Sequence, residues 1–306
     1  MDKKVVITGA TSFIGQALID RMCMESYKII AVIRPDSYDK LKIYNQKKIH
    51  IIESDMSDYS KLGNKIGECD IFISLAWNGT RGIARDNAIQ QKQNYFYSLQ
   101  ALHAAMEMGC KLFMSAGSQA EYGKVDGKIL ENAICHPITE YGKWKLAFYN
   151  EASLYCIKNK IAFKEPRFFS LYGENDAATT MVVDTIKKML MNEPCKLTKC
   201  IQNWDYLYIS DAIEGMMRLL DTECEDGAYN FGSGDVRQLK SYVEEMYALT
   251  KSTSKLLFGA VEYPHTGMVS IWPDINKLQE TGWAAKVSFA EGIQKVINKY
   301  NISQVI

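Results

Sequence analysis

The amino-acid sequence predicts an α/β fold with a doubly wound parallel sheet, followed by a smaller C-terminal lobe. Short apolar segments alternate with helical stretches along the first part of the chain, and this alternation is typical of βαβ units. The apolar segments lack the polar alternation of a half-exposed sheet, as expected for parallel strands that are buried on both faces. The length of 306 residues, with 47% hydrophobic residues, is sufficient for one large α/β domain and a second lobe.

The predicted elements follow a regular order up to residue 167 and a less regular one beyond it. Strands are predicted over residues 5–8, 27–33, 49–52, 70–75, 111–115 and 161–167, and helices over 16–22, 59–66, 88–108 and 141–158. Beyond residue 167 the predicted helices are 181–191, 212–220, 239–250 and 289–300, and the predicted strands are 207–209 and 229–232. We therefore expect a first domain over residues 1–170 and a smaller lobe over 171–306, with some segments of the lobe returning to the first domain.

The charge balance and the cysteine content argue against several classes of protein. The 36 Lys and Arg residues balance the 36 Asp and Glu residues, so bulk charge attracts the chain neither to nucleic acid nor to an anionic membrane. No apolar run has the length of a membrane span, and the first apolar run is too short for a signal peptide. The 4 His and 8 Cys residues have no metal-ligand spacing. We expect a cytoplasmic protein with free thiols, no metal, and no nucleic-acid or membrane partner.

A glycine-containing turn follows the first predicted strand and precedes the first predicted helix. Such a turn allows a pyrophosphate to approach the backbone and the free amides at the helix N-terminus. Ser12 stands where many such loops carry a further glycine, and its hydroxyl can donate a hydrogen bond to phosphate. An ordinary strand–turn–helix junction is the alternative, but the N-terminal position before a second buried strand favours a dinucleotide site. Its predicted cofactor-binding residues are Gly9, Thr11, Ser12, Phe13, Ile14 and Gly15.

The residue after the second predicted strand indicates which dinucleotide is bound. NAD-binding folds commonly place an acidic residue there to hold the ribose 2′-hydroxyl. This chain has Arg34, whose guanidinium suits the 2′-phosphate of NADP, and Ser37 is a second donor. The alternative is that Arg34 is an exposed strand-end charge, and Asp36 lies nearby in sequence. We predict NADP(H) as the cofactor and residues 1–170 as an NADP-binding Rossmann domain, with residues 171–306 as a substrate-binding lobe.

Three side chains form a candidate proton-transfer site. Tyr141 and Lys145 are four residues apart on a predicted helix and share one face, and Thr139 is a candidate N-cap. A neighbouring ammonium lowers the pKa of a phenol, so we expect Lys145 to lower that of Tyr141. Ser118 follows the fifth predicted strand, at the edge of the sheet where ligands bind. Together the three groups can polarise a carbonyl and transfer a proton, although a Tyr-x3-Lys spacing also arises by chance in a chain with 18 Tyr.

Several segments in order give the chain a family resemblance. They are VVITGATSFIG (5–15), SAGSQAEYG (115–123), PITEYGKWK (137–145), PRFFSLYG (166–173), WDYLYISDAIEGM (204–216), YNFGSG (229–234) and DINKLQETGW (274–283). With these segments the chain resembles the extended short-chain dehydrogenase/reductases, the NAD(P)-dependent epimerase/dehydratase family that acts mostly on nucleotide sugars.

The resemblance implies roles for the matching residues. Tyr141 would be the acid/base, Lys145 its partner and a ribose ligand, and Ser118 the donor to the substrate carbonyl. The further implied cofactor residues are Asp55 and Met56 at the adenine, Leu75 and Ala76 at the ribose, Asn94 behind the nicotinamide, and Phe168. The helices with Asn94 and Tyr141 resemble those that form a homodimer interface in the family.

Departures from the family pattern narrow the chemistry. Gln119 and Ala120 follow Ser118 where dehydratases carry an Asp–Glu pair, which argues against 4,6-dehydration. Trp204 and Ser170 replace an Arg and an Asn that are usual in the family, and the loop over 264–266 lacks another such Arg. The phosphate contacts would then be altered or supplied by Lys196, Lys199 or Arg237. The predicted substrate-binding residues are Trp77, Arg81, Ser118, Gln119, Tyr141, Ser170 and Trp204.

These observations lead to one expected reaction and two alternatives. We expect NADPH-dependent reduction of a 4-keto-6-deoxy nucleotide sugar, because Arg34 favours NADP and a reductase releases its cofactor at each turnover. The first alternative is a nucleotide-sugar 4-epimerase with a retained cofactor. The second is a non-catalytic NADP-sensing protein, against which the presence of Ser118, Tyr141 and Lys145 argues.

Overall fold

The computed structural model describes residues 2–41, 49–221 and 223–302. The chain forms two compact units. The first unit comprises Met1–Gly123, Ile134–Arg167 and Met216–Tyr229, and the second comprises Lys124–Ala133, Phe168–Gly215 and Asn230–Ile306.

The strands and helices have the following bounds. The strands are β1 Lys3–Thr8, β2 Tyr27–Ile33, β3 Ile49–Glu53, β4 Ile71–Ser74, β5 Leu112–Ser115, β6 Gly117–Ser118, β7 Ala162–Phe168, β8 Leu171–Tyr172, β9 Cys195–Leu197, β10 Asn203–Trp204, β11 Leu207–Tyr208, β12 Gly227–Phe231, β13 Arg237–Gln238 and β14 Leu256–Phe258. The α-helices are α1 Phe13–Met22, α2 Leu62–Ile66, α3 Ala88–Glu107, α4 Glu140–Asn159, α5 Met181–Leu190, α6 Ile209–Asp221, α7 Leu239–Thr250, α8 Asn276–Gln279 and α9 Phe289–Ile302. Short 3₁₀ helices cover Pro35–Leu41, Met56–Lys61, Gly82–Asp86 and Gln119–Glu121.

The large sheet has the strand order β3-β2-β1-β4-β5-β7-β12, and β6 pairs with β7. The neighbours from β3 to β7 along this path pair in parallel. From β1 the chain builds the sheet first towards β3 and then, from β4, in the opposite direction. The predicted doubly wound Rossmann sheet is confirmed. Ligands of such sheets bind where the strand order reverses, at the carboxyl ends of β1 and β4.

The interior of the first unit explains why these apolar runs form strands. The residues of β1 from Val5 to Thr8 are fully buried, and Val5 lies between Ile29 of β2 and Ile71 of β4. Phe72 of β4 stacks on Phe113 of β5 at a ring distance of 5.5 Å. Buried faces of α3 and α4 cover the side of the sheet that holds Val6 and Phe72. The alternate residues Val5 and Ile7 are also fully buried, so both sides of these strands are removed from water.

Most predicted elements differ from their observed bounds by one to three residues at an end, and two differ in the type of element formed. The helix predicted over 59–66 is divided into the 3₁₀ helix Met56–Lys61 and α2. The strand predicted over 207–209 ends at Tyr208, and Ile209 begins α6. Ile209 is β-branched and buried, so its residue type is equally compatible with the end of a strand and the start of a packed helix.

The second unit contains short paired strands and a compact aromatic cluster. β8 pairs with β11 and β9 with β14 in parallel, whereas β10 and β13 are antiparallel. Tyr206 contacts Tyr172, Tyr242 and Phe289 at ring distances of 5.8, 5.0 and 5.5 Å. Within the described ranges, none of the helices combines the length and the apolar character that crossing a membrane requires.

Candidate active site

The glycine turn after β1 comes into close contact with the end of β4. Gly9 has a φ of +67°, and a Cβ built on it would lie 2.8 Å from the backbone N of Ala76. Only glycine combines this conformation with this approach. The predicted residues Leu75 and Ala76 therefore adjoin the predicted turn.

The start of α1 has the form of an anion-binding site. Ser12 caps the helix, and its Oγ accepts the Gly15 N–H at 3.0 Å. The amides of Phe13 and Ile14 precede the first helical hydrogen bond, from Gln16 N to the Ser12 carbonyl. Ser12 thus has a structural use in addition to the predicted phosphate contact. The bare backbone of Gly9 and the first amides of α1 fit the pyrophosphate of a dinucleotide.

Arg34 immediately follows β2 and is exposed. Its carbonyl accepts the Ser37 N–H at 2.9 Å, which closes a turn. Ser37 itself is only 4% exposed. Arg34 is therefore at the surface, as a ligand of a 2′-phosphate must be, whereas Ser37 is buried.

Asp55 and Met56 follow β3, beside the loop that follows β4. Asp55 caps the 3₁₀ helix Met56–Lys61 by accepting the Ser57 N–H at 3.2 Å. Met56 is buried, and its sulfur accepts a hydrogen bond from the side-chain amide of Asn78 at 3.5 Å. The predicted adenine-side residues and the loop after β4 are therefore in contact.

Two buried amides of α3 fix the loop between β4 and α3. The Asn94 side chain donates to the Asn78 carbonyl at 2.8 Å and accepts the Asn78 N–H at 3.1 Å. Gln91 Nε2 donates to the carbonyls of Gly79 at 2.9 Å and Ala84 at 2.8 Å. The resemblance implies that Asn94 lies behind the nicotinamide. In the structure its side chain binds the backbone of Asn78 in the loop after β4. Gln91 was not predicted, because a single Gln in a polar helix gives no pattern.

Ser118 and Tyr141 contact each other at the carboxyl edge of the sheet. Ser118 caps the 3₁₀ helix Gln119–Glu121, and its Oγ accepts the Ala120 N–H at 3.2 Å. Tyr141 lies in the first turn of α4, and Thr139 caps this helix by accepting the Gly142 N–H at 3.1 Å, as predicted. Burial raises the pKa of Tyr141, and a side-chain hydrogen bond with Ser118 opposes the rise.

Lys145 lies one helical turn after Tyr141 and is 4% exposed. Its Nζ donates to the Ala116 carbonyl at 2.6 Å and lies 3.9 Å from the centre of the Trp77 ring. Burial lowers the pKa of Lys145 to about 8, although Glu121 and Glu165 act in the opposite direction.

The expectation that Lys145 lowers the pKa of Tyr141 is corrected by the structure. Burial dominates and raises the pKa of the phenol, and the opposing groups are Ser118 and then Arg85. The Lys145 ammonium is instead directed to the Ala116 carbonyl and to Trp77.

The loop after β4 provides two side chains beside Tyr141. Trp77 meets the Tyr141 ring edge-on at 6.2 Å, and its indole N–H donates to Gln91 Oε1 at 2.7 Å. The Arg85 guanidinium lies 4.8 Å from the centre of the Tyr141 ring. Arg81, the predicted substrate residue, is exposed at the start of the 3₁₀ helix that contains Arg85. Sequence reasoning missed Arg85, because the course of this loop decides which Arg faces the site.

The remaining predicted site residues are divided between the two units. Gln119 follows Ser118 in the first unit and is half-buried. In the second unit, Phe168 packs against Phe231 at 5.2 Å, and the Ser170 carbonyl accepts the Leu207 N–H at 2.9 Å. Trp204 lies opposite Arg237 in the β10–β13 pair, and its indole N–H meets no acceptor among the described residues.

Three basic residues of the second unit were considered as phosphate ligands, and they differ in whether carboxylates already bind them. Arg237 was suggested as a substitute phosphate ligand, but its guanidinium is bound to Glu245 at 2.6 Å and to Asp235 at 3.2 Å. It also lies 4.0 Å from the centre of the Tyr242 ring. Two carboxylates already neutralise this cation, so the suggestion for Arg237 is not supported. Lys196 and Lys199 are exposed.

Comparison with known proteins places this chain in a family. The sequence model of the NAD dependent epimerase/dehydratase family matches residues 5–232. The chain belongs to this family. The predicted resemblance is therefore confirmed, and a nicotinamide dinucleotide is the cofactor that this family uses.

Relatives of this epimerase/dehydratase chain match it along almost their full length. It is 26% identical to the CDP-abequose synthase of Salmonella muenchen, over 97% of this chain and 98% of that one. It is 28% identical to the dTDP-4-dehydro-6-deoxyglucose reductase of Escherichia coli, over 96% of both chains. The structure of the UDP-glucuronic acid 4-epimerase of Bacillus cereus, in complex with UDP-glucuronic acid and NAD, has the same fold. Its TM-score is 0.85 at 21% identity, covering 99% of this chain and 100% of that one.

Proposed function

We propose that this protein reduces a 4-keto-6-deoxy nucleotide sugar with NADPH. The observation that carries the proposal is the contact between half-buried Ser118 and buried Tyr141, with buried Lys145 one turn further along α4. Two relatives support this class of substrate, since one is called a dTDP-4-dehydro-6-deoxyglucose reductase and another a CDP-abequose synthase.

The dinucleotide fits the residues of the first unit. Gly9 and the first turn of α1 would hold the pyrophosphate, and Arg34 would pair with the 2′-phosphate. Lys145 would hold the ribose hydroxyls. When bound in its reduced form, the nicotinamide supplies the hydride.

The protein's own groups would manage the proton. The Ser118 hydroxyl would donate to the C4 carbonyl oxygen of the sugar and polarise it. Tyr141 would donate its phenolic proton to the same oxygen as negative charge develops there. Burial raises the pKa of Tyr141, so the phenol enters the reaction protonated. A reduction needs an acid at this point, whereas the first step of an epimerisation needs a base.

Arg34 is the basis for preferring NADP(H), and it provides the test of the cofactor. The measurement is calorimetric titration of the wild-type protein and Arg34→Asp with NADPH and NADH. We expect tighter binding of NADPH by the wild type and a reversed preference in Arg34→Asp. Equal or tighter binding of NADH by the wild type contradicts the choice of NADP(H).

Turnover on a panel of nucleotide sugars tests the reaction. We expect one NADPH consumed for each 4-keto-6-deoxy sugar reduced. Interconversion of 4-hydroxy isomers without consumption of NADPH identifies the epimerase alternative, which the likeness to a 4-epimerase fold makes the relevant competitor. Binding of NADP without turnover on the panel identifies a sensor. The assignments of Arg81, Gln119, Ser170 and Trp204 to substrate binding stay predictions.

We further propose that the protein is a cytoplasmic homodimer that pairs through α3 and α4. Apolar side chains are exposed along both helices. They are Ile89 and Phe96 of α3, and Leu154 and Ile157 of α4, exposed by 75%, 49%, 71% and 71%. Exposed apolar side chains grouped on neighbouring helices are typical of a protein–protein interface.

A further inference from the structure

Two buried glutamates lie next to the proposed catalytic groups and have no role in the mechanism above. Glu121 ends the 3₁₀ helix that begins after Ser118, and Glu165 lies on β7. Their side chains are exposed by 0% and 1%. We call Glu121 and Glu165 the buried carboxyl pair.

The Arg167 guanidinium contacts the buried carboxyl pair, but its Nε–H group cannot satisfy both acids. Arg167 Nε donates its hydrogen to Glu165 Oε1 at 3.1 Å and lies 2.9 Å from Glu121 Oε2. An arginine Nε has one hydrogen. The rest of the guanidinium is next to the rings of Tyr122 and Tyr149 and the Cys135 sulfur. The Oε2 atoms of Glu121 and Glu165 therefore both lack a donor among the described residues.

A proton on one of these oxygens supplies the missing donor. The two carboxyl groups are close enough for a mutual hydrogen bond, and such a bond requires that one of them keeps its proton. Burial raises the pKa of Glu165 well above its ordinary value, the Glu121 carboxylate raises it further, and Arg167 opposes the rise. Glu165 is thus the member of the buried carboxyl pair that holds the proton.

The buried carboxyl pair also adjoins the backbone that holds the catalytic side chains. Glu121 Oε1 accepts the Ser118 N–H at 2.7 Å. A Cβ built on Gly117 would lie 2.7 Å from Glu165 Cγ and 2.9 Å from Arg167 Cγ. The short segment from residue 116 to 118, which presents the carbonyl bound by Lys145, therefore packs directly on the buried carboxyl pair.

Lys145 is held in a charged state by groups from several elements. Trp77 and the Ala116 carbonyl contact its ammonium directly. Within the buried carboxyl pair, Glu121 does most to raise the pKa of Lys145 against the larger effect of burial. Without a negative charge from the buried carboxyl pair, the ammonium would have only a ring face and a carbonyl to stabilise it.

We propose that Glu121 and Glu165 are positioning residues that share one proton, that their single negative charge keeps Lys145 an ammonium, and that Glu121 fixes the backbone of Ser118. Any effect of this arrangement on catalysis rests on the proposed function. The charge state of the buried carboxyl pair is independent of that function, so it can be measured without substrate or cofactor.

The test follows the titration of Lys145 in cofactor-free protein labelled with ¹³C at lysine Cε. The Lys145 signal is assigned by its loss in Lys145→Arg. We compare the wild type, Glu165→Gln, and the double variant Glu121→Gln/Glu165→Gln. Since Glu165 is already neutral, Glu165→Gln should leave the midpoint near the wild-type pH of about 8. The double variant removes the remaining charge and should lower the midpoint by about one pH unit or more, a tenfold loss of proton affinity.

A double variant with the wild-type midpoint overturns the proposal, and so does a lower midpoint in Glu165→Gln alone. If the double variant does not fold, infrared spectroscopy of the wild type and Glu165→Gln decides. At about pH 8 exposed carboxyl groups are ionised, so their difference spectrum should contain the C=O band of one protonated acid. Absence of that band contradicts the shared proton. None of these outcomes depends on the reaction that the protein catalyses.

Discussion

Tyr141 and Lys145 have different surroundings, so we expect their substitutions to have different consequences. Tyr141→Phe removes only the hydroxyl that contacts Ser118, and a lost general acid typically lowers kcat by about 10²–10⁴-fold. Its affinity for the cofactor should be unchanged. Lys145→Ala should weaken cofactor binding as well as lower kcat, because the ammonium is proposed to hold the ribose. Steady-state kinetics paired with cofactor titration separates the two, and near-normal kcat in Tyr141→Phe would remove the catalytic assignment.

The protonation of Lys145 predicts the alkaline limit of the free enzyme. Burial lowers the pKa of Lys145 to about 8, so the ammonium is present below this pH and is lost as the pH rises through it. Since kcat/KM reports the groups of the free enzyme, we expect kcat/KM for NADPH to decrease above a pH of about 8. The check is a pH profile of kcat/KM together with cofactor affinity. A profile that stays flat up to pH 10 contradicts a required ammonium.

At the scale of elements, Gln91 of α3 fixes the loop that brings Trp77 and Arg85 to Tyr141. Gln91→Ala removes the hydrogen bonds of a buried side chain to half-buried loop groups, and a typical hydrogen bond contributes about 0.5–1.5 kcal/mol of net stability. We therefore expect a lower free energy of unfolding and a higher KM for the sugar substrate. Gln93→Ala, at an exposed position of the same helix, is the matched control. Denaturant unfolding and kinetics of both variants test this. Equal stability of the two variants would show that Gln91 does not hold the loop.

The long elements were predictable from the sequence, and the short ones were not. β2 and α7 have the predicted bounds, because a continuous apolar run marks the buried strand and a helical period marks the helix. Strands of two or three residues, such as β6 and β10, have no period to detect. Their pairing is decided by distant parts of the chain.

The candidate site shows the same distinction between local and distant signals. Ser118, Tyr141 and Lys145 were found because strand ends and a one-turn helical spacing are local features. Arg85, Gln91 and the buried carboxyl pair were not found. Their positions depend on the course of a loop and on a neighbouring strand, and an isolated Glu or Gln in the sequence resembles a surface residue.

At the scale of the whole molecule, the proposed homodimer depends on the exposed apolar residues of α3 and α4. Leu154→Glu/Ile157→Glu places charges on that surface and should convert a dimer into a monomer. Met24→Glu changes an apolar residue that is 78% exposed outside these helices, and it should leave the dimer intact. Light scattering after size-exclusion chromatography measures the mass of each. A monomeric wild type, or a dimeric double variant, contradicts the assigned interface.

The proposed reduction is tested most directly by following the hydride itself. The protein is incubated with a 4-keto-6-deoxy nucleotide sugar and NADPH that carries deuterium at the transferred position of the nicotinamide, and products are analysed by mass spectrometry and NMR. We expect deuterium at C4 of the sugar and an equal amount of NADP released into solution. A sugar without deuterium and no released NADP, together with interconversion of 4-hydroxy nucleotide-sugar isomers in the absence of added NADPH, would contradict the account and identify a cofactor that stays bound and cycles.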